Sequence, residues 1–183
     1  MPTFKTNMKK MVLFYLFFIF FLPNTLLADT KVYFSPNGGC QDAIVSQISK
    51  AQRTIDIAMY YLTSREIAQE LVKAKERKVT VRIVLDQGQE TQNYSKSRYL
   101  IKRGFEVKYH IGSGIMHNKF ALIDGKVLLT GSFNWTPTAN EKNEENLLII
   151  TDKDLIKKYE ERFEYLWKSS RKGTADHDQT NDE

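Results

Sequence analysis

The 183-residue sequence predicts an α/β sandwich with parallel strand pairs, and two observations support that prediction. In the first half, strand patterns at 31–34, 55–59, 79–85 and 105–110 alternate with segments of helical periodicity. Such alternation is typical of β-α-β units, in which a helix carries the chain back to the start of the next strand. In the second half the apolar runs lie much closer together, which indicates antiparallel hairpins instead.

The helical segments of the first half have recognisable ends. A first helix follows the Pro-Asn-Gly-Gly turn at 36–39. Ser64 is a suitable N-cap for a second helix, and Glu66 adds a favourable negative charge to its first turn. A third helix is predicted at 94–103, and Gly104 is the residue expected to end it.

The second half is predicted to contain a hairpin followed by a strand and a helix. The apolar runs 119–123 and 126–130 flank Asp124-Gly125, and an Asp-Gly pair between two such runs is a strong two-residue hairpin signal. A further strand is predicted at 146–151. The last helix then runs through Trp167, with Asp152 as its N-cap.

The first 28 residues are predicted to be a secretory signal peptide that is cut after Ala28. Three lysines precede the apolar run 11–22, which is short for a membrane span. Leu26 occupies a position before the cut where a small residue is usual, so an uncleaved inner-membrane anchor is the alternative. The expected location is therefore periplasmic or secreted.

Residues 29–168 are expected to form one domain, and 169–183 a polar, disordered tail. The chain has a net charge of +5; the first 28 residues carry three lysines and no acid, and the tail is −2, which leaves +4 on the domain. A mildly basic domain suits a polyanionic partner, although a charge of this size is also ordinary for solubility. The single cysteine, Cys40, excludes an intramolecular disulfide and a thiolate metal cluster within one chain.

Four polar side chains are predicted to converge at the open end of the hairpin. Alternate residues of an extended chain share a face, so His117 and Lys119 point the same way. Ser132 and Asn134 have the same spacing just after the partner strand, and the turn brings the two segments side by side. An imidazole, an ammonium, a hydroxyl and a carboxamide would then surround one position.

This set of groups suits phosphoryl chemistry. Lys119 and Asn134 can hold the anionic oxygens of a phosphodiester, and His117 can attack phosphorus or move a proton near neutral pH. The histidines His110, His117 and His177 are far apart in sequence and no acidic cluster has ligand spacing, so neither a metal nor another cofactor is expected.

Taken singly, each of these residues has an ordinary structural explanation. A histidine at a strand start is usually a surface or capping residue, and Lys119 resembles any solvated strand lysine. Asp124 is the usual turn residue, while Ser132 and Asn134 are common turn formers. Those explanations do not account for the joint spacing.

The joint spacing resembles the signature of the phospholipase D superfamily: His-x-Lys, four residues, Asp, six residues, then Gly-Ser-x-Asn. The match has no gap, and six fixed positions within 18 residues make it highly specific. The resemblance extends over essentially the whole chain after residue 28 and is closest to the short bacterial branch, which includes exported endonucleases. The matching residues are His117, Lys119, Asp124, Gly131, Ser132 and Asn134.

The resemblance implies an α-β-α sandwich around a mixed, largely parallel β-sheet. It also implies that one histidine attacks phosphorus to give a phosphohistidine, while a second histidine protonates the leaving oxygen. An acid downstream of the motif orients the histidine; Glu145 is the best match and Glu144 is the alternative. Asp124 is expected to have a supporting role. The resulting candidate catalytic set is His117, Lys119, Asp124, Ser132, Asn134 and Glu145.

The chain carries one copy of the motif, whereas the resemblance implies that two copies build a site. Neither His110 nor His177 lies in a His-x-Lys segment. The expected partner is therefore a second copy of the chain, in a homodimer whose two-fold axis passes near the two His117 residues.

Three functions remain open at this point. The first is a metal-independent endonuclease with little sequence preference, which the basic domain favours. The second is a phospholipase D acting on membrane phospholipid, which would use the same chemistry. The third is a non-catalytic binder of nucleic acid or membrane surfaces, and the intact motif argues against it.

Overall fold

A computed structural model describes residues 29–174, which form one sheet with helices on both of its faces. The predicted signal peptide, residues 1–28, lies outside the described residues. The helices are α1 (Cys40–Lys50), α2 (Arg65–Glu76), α3 (Ser97–Ile101), α4 (Pro137–Glu141) and α5 (Lys153–Ser169), and a short 3₁₀ turn covers Gln87–Gln89. The strands are β1 (Thr30–Ser35), β2 (Thr54–Met59), β3 (Thr80–Asp86), β4 (Glu106–His110), β5 (Lys119–Ile123), β6 (Val127–Gly131), β7 (Glu145–Ile150) and β8 (Ser170–Lys172).

The sheet is mixed, as expected, but it is not largely parallel. The strand order is β1-β7-β6-β5-β2-β3-β4-β8. Parallel pairing occurs in β2–β3 and β3–β4, and the remaining five pairs are antiparallel. The expectation overcounted parallel pairs because β1 and β2, although joined by a helix, are separated in the sheet by β7, β6 and β5.

The helices cover the two faces unequally, and the α-β-α sandwich is confirmed. Strand residues alternate between the faces, so Ile57 packs towards α1 and α2 while its neighbour Ala58 packs towards α5. The long helix α5 packs on β2, β4, β5 and β6. The larger helix side chains buried in the two cores include Ile44 and Ile48 of α1, Ile67 and Leu71 of α2, and Ile156, Phe163 and Leu166 of α5.

Both predicted N-caps are confirmed. The Ser64 hydroxyl accepts a hydrogen bond from the Ile67 backbone N–H at 3.3 Å. The Asp152 carboxylate accepts one from the Leu155 backbone N–H at 2.7 Å. Each bond satisfies a donor that the first turn of its helix would otherwise leave unpaired.

The folded region continues past the boundary predicted at Lys168. Residues assigned to a disordered tail form β8, which pairs with β4 and adds an edge strand to the sheet. Arg171 of β8 donates to the Glu90 carboxylate at 3.0 Å, and this ion pair holds the strand in place. The tail prediction failed here because the short polar segment has no strand periodicity of its own. Residues 175–183 lie outside the described part.

Within residues 29–174, no helix has the length and apolar character needed to cross a membrane.

Candidate active site

The predicted hairpin is present and determines where the site lies. Asp124 and Gly125 form its turn, both with positive φ angles of 55° and 64°. Phe120 pairs with Thr130, so the first residue of β5 and the last residue of β6 lie at the same edge of the sheet. Strand β2 is the other neighbour of β5, and its last residue also ends at this edge. The segment before β5 and the segments after β2 and β6 therefore lie close together.

His117 lies just ahead of β5, and its side chain is exposed. Its imidazole ring contacts the Tyr60 ring edge-on, with 4.5 Å between the ring centroids. The backbone on both sides is held: the His117 N–H donates to the Ile115 carbonyl at 3.1 Å, and the Tyr60 N–H donates to the Asn118 carbonyl at 2.9 Å. The imidazole is thus presented to solvent from a fixed backbone.

Asp86, at the end of β3, supports the segment that leads into His117. Its side chain is buried, with 6% exposure. One carboxylate oxygen accepts from the Met116 backbone N–H at 2.8 Å, and the other accepts from the Gly88 N–H at 2.9 Å. The sequence contained a signal for this residue, because an acid ends a buried strand, but nothing in the sequence alone connects Asp86 with Met116.

Lys119 is half-buried at the start of β5. Its ammonium donates to the His117 carbonyl at 2.9 Å and lies 4.8 Å from the centroid of the Tyr60 ring. Burial lowers the pKa of Lys119, and the nearby negative charge of Glu145 opposes that effect. An arriving phosphate would add negative charge beside an ammonium that is only partly compensated by the protein.

Tyr60 belongs to the site, and the sequence alone did not single it out. A hydrogen bond with Tyr61 and burial raise the pKa of Tyr60 to about 12. Its hydroxyl is therefore neutral near pH 7, and its ring serves as a wall that contacts both His117 and Lys119.

The Gly-Ser-x-Asn segment is fastened to the start of β7. The Asn146 N–H donates to the Ser132 hydroxyl at 3.0 Å, and the Ser132 N–H donates to the Asn146 carbonyl at 3.1 Å. At Gly131 a Cβ would stand 2.2 Å from the Asn146 carbonyl oxygen, so this close approach requires glycine. The Ser132 hydroxyl therefore joins the ends of β6 and β7 by accepting a backbone hydrogen bond.

The side-chain oxygen of Asn134, unlike the Ser132 hydroxyl, is not hydrogen-bonded within the described chain. Within residues 29–174 its side-chain oxygen is buried and has no hydrogen-bond partner. The next residue is fixed, because the Trp135 N–H donates to the Tyr61 carbonyl at 3.0 Å. Buried polar atoms are normally paired, so the unpaired oxygen is unusual. The nitrogen of the same carboxamide is the atom that can donate a hydrogen bond to an anionic oxygen.

Glu145 lies at the same edge as the first residue of β7, whereas Glu144 is exposed in the preceding loop. The Asn143 side-chain amide donates to the Glu145 carboxylate at 3.2 Å. Its charge acts on Lys119 and also helps to raise the pKa of the Cys40 thiol, whose main cause is burial. Within the described chain the Glu145 carboxylate makes no hydrogen bond with His117.

Asp124 is not brought to the site. It lies at the other end of β5, five residues from Lys119 and hence about 17 Å away at the rise of a strand. Its carboxylate accepts backbone N–H bonds from Gln52, Arg53 and Thr54 at 2.9, 2.7 and 3.0 Å. Partial burial alone would raise the pKa of Asp124, but these donors and the Arg53 charge outweigh it and lower the pKa.

No group of three or more His, Cys, Asp or Glu side chains with metal-binding geometry occurs among residues 29–174. The groups that converge at the site are an imidazole, an ammonium and a carboxamide. They can supply a nucleophile or proton carrier and two contacts for anionic oxygens.

The similarity of the chain to known proteins shows its family. A family model described as the PLD-like domain of cardiolipin synthase matches residues 44–167, more than half of the chain, and the chain therefore belongs to the phospholipase D superfamily. The predicted membership is confirmed.

Individual relatives come from bacteria and vertebrates. A phospholipase D of Rickettsia conorii is 39% identical over 126 residues, which cover 69% of this chain and 63% of the relative. A mitochondrial cardiolipin hydrolase of Xenopus laevis is 37% identical, over 68% of this chain and 59% of the relative. The chain thus spans about three fifths of the length of these curated relatives.

Among solved structures, the similarity extends over nearly the whole of two bacterial proteins. Nuc from Salmonella typhimurium, a phospholipase D family member, superposes with a TM-score of 0.75 at 30% identity, over 79% of this chain and 97% of Nuc. NucT from Helicobacter pylori gives the same TM-score at 27% identity, over 79% of this chain and 99% of NucT.

Proposed function

We propose that this chain is an endonuclease that cleaves the P–O bonds of nucleic acid through a phosphohistidine on His117. The observation that carries the proposal is that exposed His117, half-buried Lys119 and Asn134 all lie at the open end of the β5–β6 hairpin. An attacking imidazole needs open access to phosphorus, whereas the oxygen-binding groups need to be fixed and partly shielded from water.

The proposed reaction has two steps. A His117 nitrogen attacks phosphorus, a P–N bond forms, the P–O bond to the leaving alcohol breaks, and a second imidazole gives that oxygen its proton. The same second imidazole then removes a proton from water, which attacks phosphorus and breaks the P–N bond. Lys119 and Asn134 hold the two non-bridging oxygens throughout. Neither step requires a metal, so we expect activity to persist in EDTA.

The second imidazole has to come from another chain, which is why we propose a homodimer. His110 ends β4, three strand spacings from β5 and therefore about 14 Å away across the sheet. His177 lies outside the described residues and outside any His-x-Lys segment. A two-fold axis near His117 supplies the missing imidazole from the partner.

An uncovered part of the sheet supports this dimer. Val32 and Phe34 of the edge strand β1 are 52% and 62% exposed. They pair with Leu148 and Asn146 of β7, so their side chains lie on the same face of the sheet as α5. Helix α5 packs mainly on β2, β4, β5 and β6, which leaves the β1 part of this face uncovered. We assign this apolar surface to contact with the second copy, because it begins beside Asn146 at the edge that carries the site.

Nucleic acid is preferred over lipid because the domain carries a net positive charge, which suits a polyanionic substrate. Phospholipid is the second candidate, and one observation favours it: the curated relatives are named phospholipase D and mitochondrial cardiolipin hydrolase. Both substrates present the same phosphodiester to the same groups.

The test is hydrolysis of plasmid DNA, RNA, and vesicles of phosphatidylcholine or cardiolipin by the full chain in excess EDTA, with His117→Ala as the inactive control. We expect nicked and then linear DNA, together with a phosphoenzyme that is labile to acid. Release of lipid head groups without DNA cleavage would show that phospholipid, and not nucleic acid, is the substrate. Loss of all activity in EDTA, restored by magnesium or zinc, would contradict the mechanism.

We also propose that the protein is exported after removal of residues 1–28, because of the basic and apolar patterns in that segment. N-terminal sequencing of protein from the native host should find Asp29 first. An intact Met1 in the membrane fraction would favour the inner-membrane anchor.

A further inference from the structure

A basic groove lies on the α2 side of the sheet, between the first turns of α2 and helix α3. Its volume is about 440 Å³. Three cationic side chains line it, and no acidic side chain does. We call this feature the basic groove; its lining residues are Arg65, Ala68, Gln69, Lys96, Tyr99 and Arg103.

The cations of the basic groove are not neutralised by the protein. Among the described residues, none of Arg65, Lys96 and Arg103 forms an ion pair. Arg103 lies 3.7 Å from the centroid of the Tyr99 ring and donates to the Tyr99 carbonyl at 3.4 Å. By contrast, Arg82 at the other face is held by two carboxylates. The charge of the groove is therefore available to an external anion.

A short piece of chain connects the basic groove with the active site. Tyr60 contacts His117, and Arg65 follows five residues later. Midway, the Leu62 carbonyl accepts a hydrogen bond from the Lys96 backbone N–H at 2.9 Å, which joins the two walls of the groove. Five residues span at most about 17 Å, so the Arg65 backbone, at one wall of the groove, lies within that distance of the Tyr60 backbone.

The position of the groove away from His117 favours a polymeric substrate over a small single molecule. Phosphates of one strand in a duplex advance by about 3.4 Å each, so about 17 Å corresponds to roughly five nucleotides. A nucleic-acid strand with one phosphate at His117 can place other phosphates at Arg65, Lys96 and Arg103. A phospholipid with a single phosphate has no further phosphate for the groove while that phosphate lies at His117.

We propose that the basic groove binds backbone phosphates of the nucleic-acid substrate, several nucleotides from the bond cleaved at His117. This inference rests on the proposed nuclease function and adds a subsite to it. A membrane surface fits the groove less well, because such surfaces combine cations with bulky exposed apolar side chains. Here Ala68 is buried and Tyr99 is half-buried beneath Arg103.

The test compares two variants with the same loss of charge. The groove variant is Arg65→Gln/Lys96→Gln/Arg103→Gln. The matched control is Lys50→Gln/Lys78→Gln/Lys126→Gln, whose exposed lysines lie at the opposite end of the sheet from His117. Both are made in the full chain, and thermal unfolding establishes that each is folded.

Binding is measured first, in a His117→Ala background, as the salt dependence of the affinity for a labelled single-stranded oligonucleotide. Each phosphate contact contributes about 0.7 to the slope of log K against log salt for a single strand. Loss of three contacts should reduce the slope of the groove variant by about 2, whereas the control should keep the parental slope. Equal slopes for the two variants would overturn the proposal.

Turnover is measured second, with His117 present, on long DNA and on bis(p-nitrophenyl) phosphate. We expect the groove variant to lower the ratio of the DNA rate to the small-diester rate by at least about tenfold, because only the polymer reaches the groove. An unchanged ratio, or a groove variant that loses binding to phosphatidylglycerol vesicles while binding the oligonucleotide normally, contradicts the proposal. Failure of the nuclease function itself looks different: the parental chain then hydrolyses the small diester and never DNA.

Discussion

The two ends of the β5–β6 hairpin carry residues of one sequence motif but differ in how well their polar groups are satisfied. At the turn, the Asp124 carboxylate accepts three backbone N–H bonds. At the open end, His117 is exposed, Lys119 is half-buried with a lowered pKa, and the Asn134 side-chain oxygen has no partner within residues 29–174. Satisfied groups stabilise a fold, whereas an exposed imidazole and a half-buried ammonium can contact a ligand. Membership of a motif therefore does not specify a residue's role.

The largest expected effect is at the open end, in His117→Ala. Removing the nucleophile should lower steady-state DNA turnover by at least about 1,000-fold, while the denaturant midpoint stays unchanged because the side chain is exposed. His117→Asn should be equally inactive, since an amide cannot form a phosphohistidine. Turnover on a natural diester is the measurement, because an activated aryl phosphate needs little protonation of its leaving group.

Mixed dimers sharpen the same prediction. A heterodimer of the parental chain with His117→Ala, purified through two different tags, contains one histidine at a shared site and should lose most of its activity. If each chain held a complete site, counting of sites would leave about half of the activity. That result would contradict the homodimer proposal while leaving the role of His117 intact.

The next largest effect is expected at Lys119. Lys119→Met should lower kcat/KM for DNA by about 100- to 1,000-fold, because one contact to the developing charge is lost. Burial lowers the pKa of this ammonium, so activity should decline on the alkaline side at a pH below the ordinary lysine value of about 10.4. Lys119→Arg keeps the charge to higher pH and should move that decline upwards. An alkaline limb that is identical in Lys119→Arg and the parental chain would exclude Lys119 as its origin.

A smaller effect is expected at Asp86, which holds the segment before His117. Asp86→Ala leaves the Met116 and Gly88 backbone donors unpaired and should reduce kcat by about 10- to 100-fold through misplacement of His117. Asp86→Asn keeps one acceptor oxygen and should recover part of the loss. The KM for DNA should change little in both variants. An effect on KM alone would indicate that Asp86 acts on substrate binding and not on the position of His117.

The smallest effect on activity is expected at the turn. Asp124→Ala removes the acceptor of three backbone donors and should lower the free energy of unfolding by about 1–3 kcal/mol, with kcat per folded molecule unchanged. The pKa of Asp124 is lowered in the folded state, so its contribution is present above the unfolded pKa of about 3.9 and is lost as the pH falls through the folded pKa. The denaturant midpoints of the parental chain and of Asp124→Ala should therefore differ at neutral pH and approach each other as the pH is lowered. A loss of kcat without loss of stability would place Asp124 in the reaction.

The sequence alone is enough to place Asp124 away from Lys119. Asp124 lies five positions after Lys119, directly beyond the last residue of β5, which already puts the two side chains at opposite ends of this strand. The resemblance to a family motif grouped them together, because a motif records which residues recur and not where they lie. Ser132 differs from Asp124, because it lies at the open end of the hairpin, where its hydroxyl accepts a hydrogen bond from the Asn146 backbone N–H.

The local sequence by itself determined seven of the eight strands among the described residues, the main helices, the N-caps at Ser64 and Asp152 and the hairpin at Asp124-Gly125. Through the hairpin it also determined that His117 and Asn134 lie at the same end of the sheet. These features depend on residues close together in the chain. Only the tertiary structure decided that β7, β6 and β5 separate β1 from β2, that Asp86 supports the backbone before His117, and that α2 and α3 enclose a basic groove. Those features depend on contacts between distant segments, which are selected by the packing of whole faces and leave no periodic trace in the sequence.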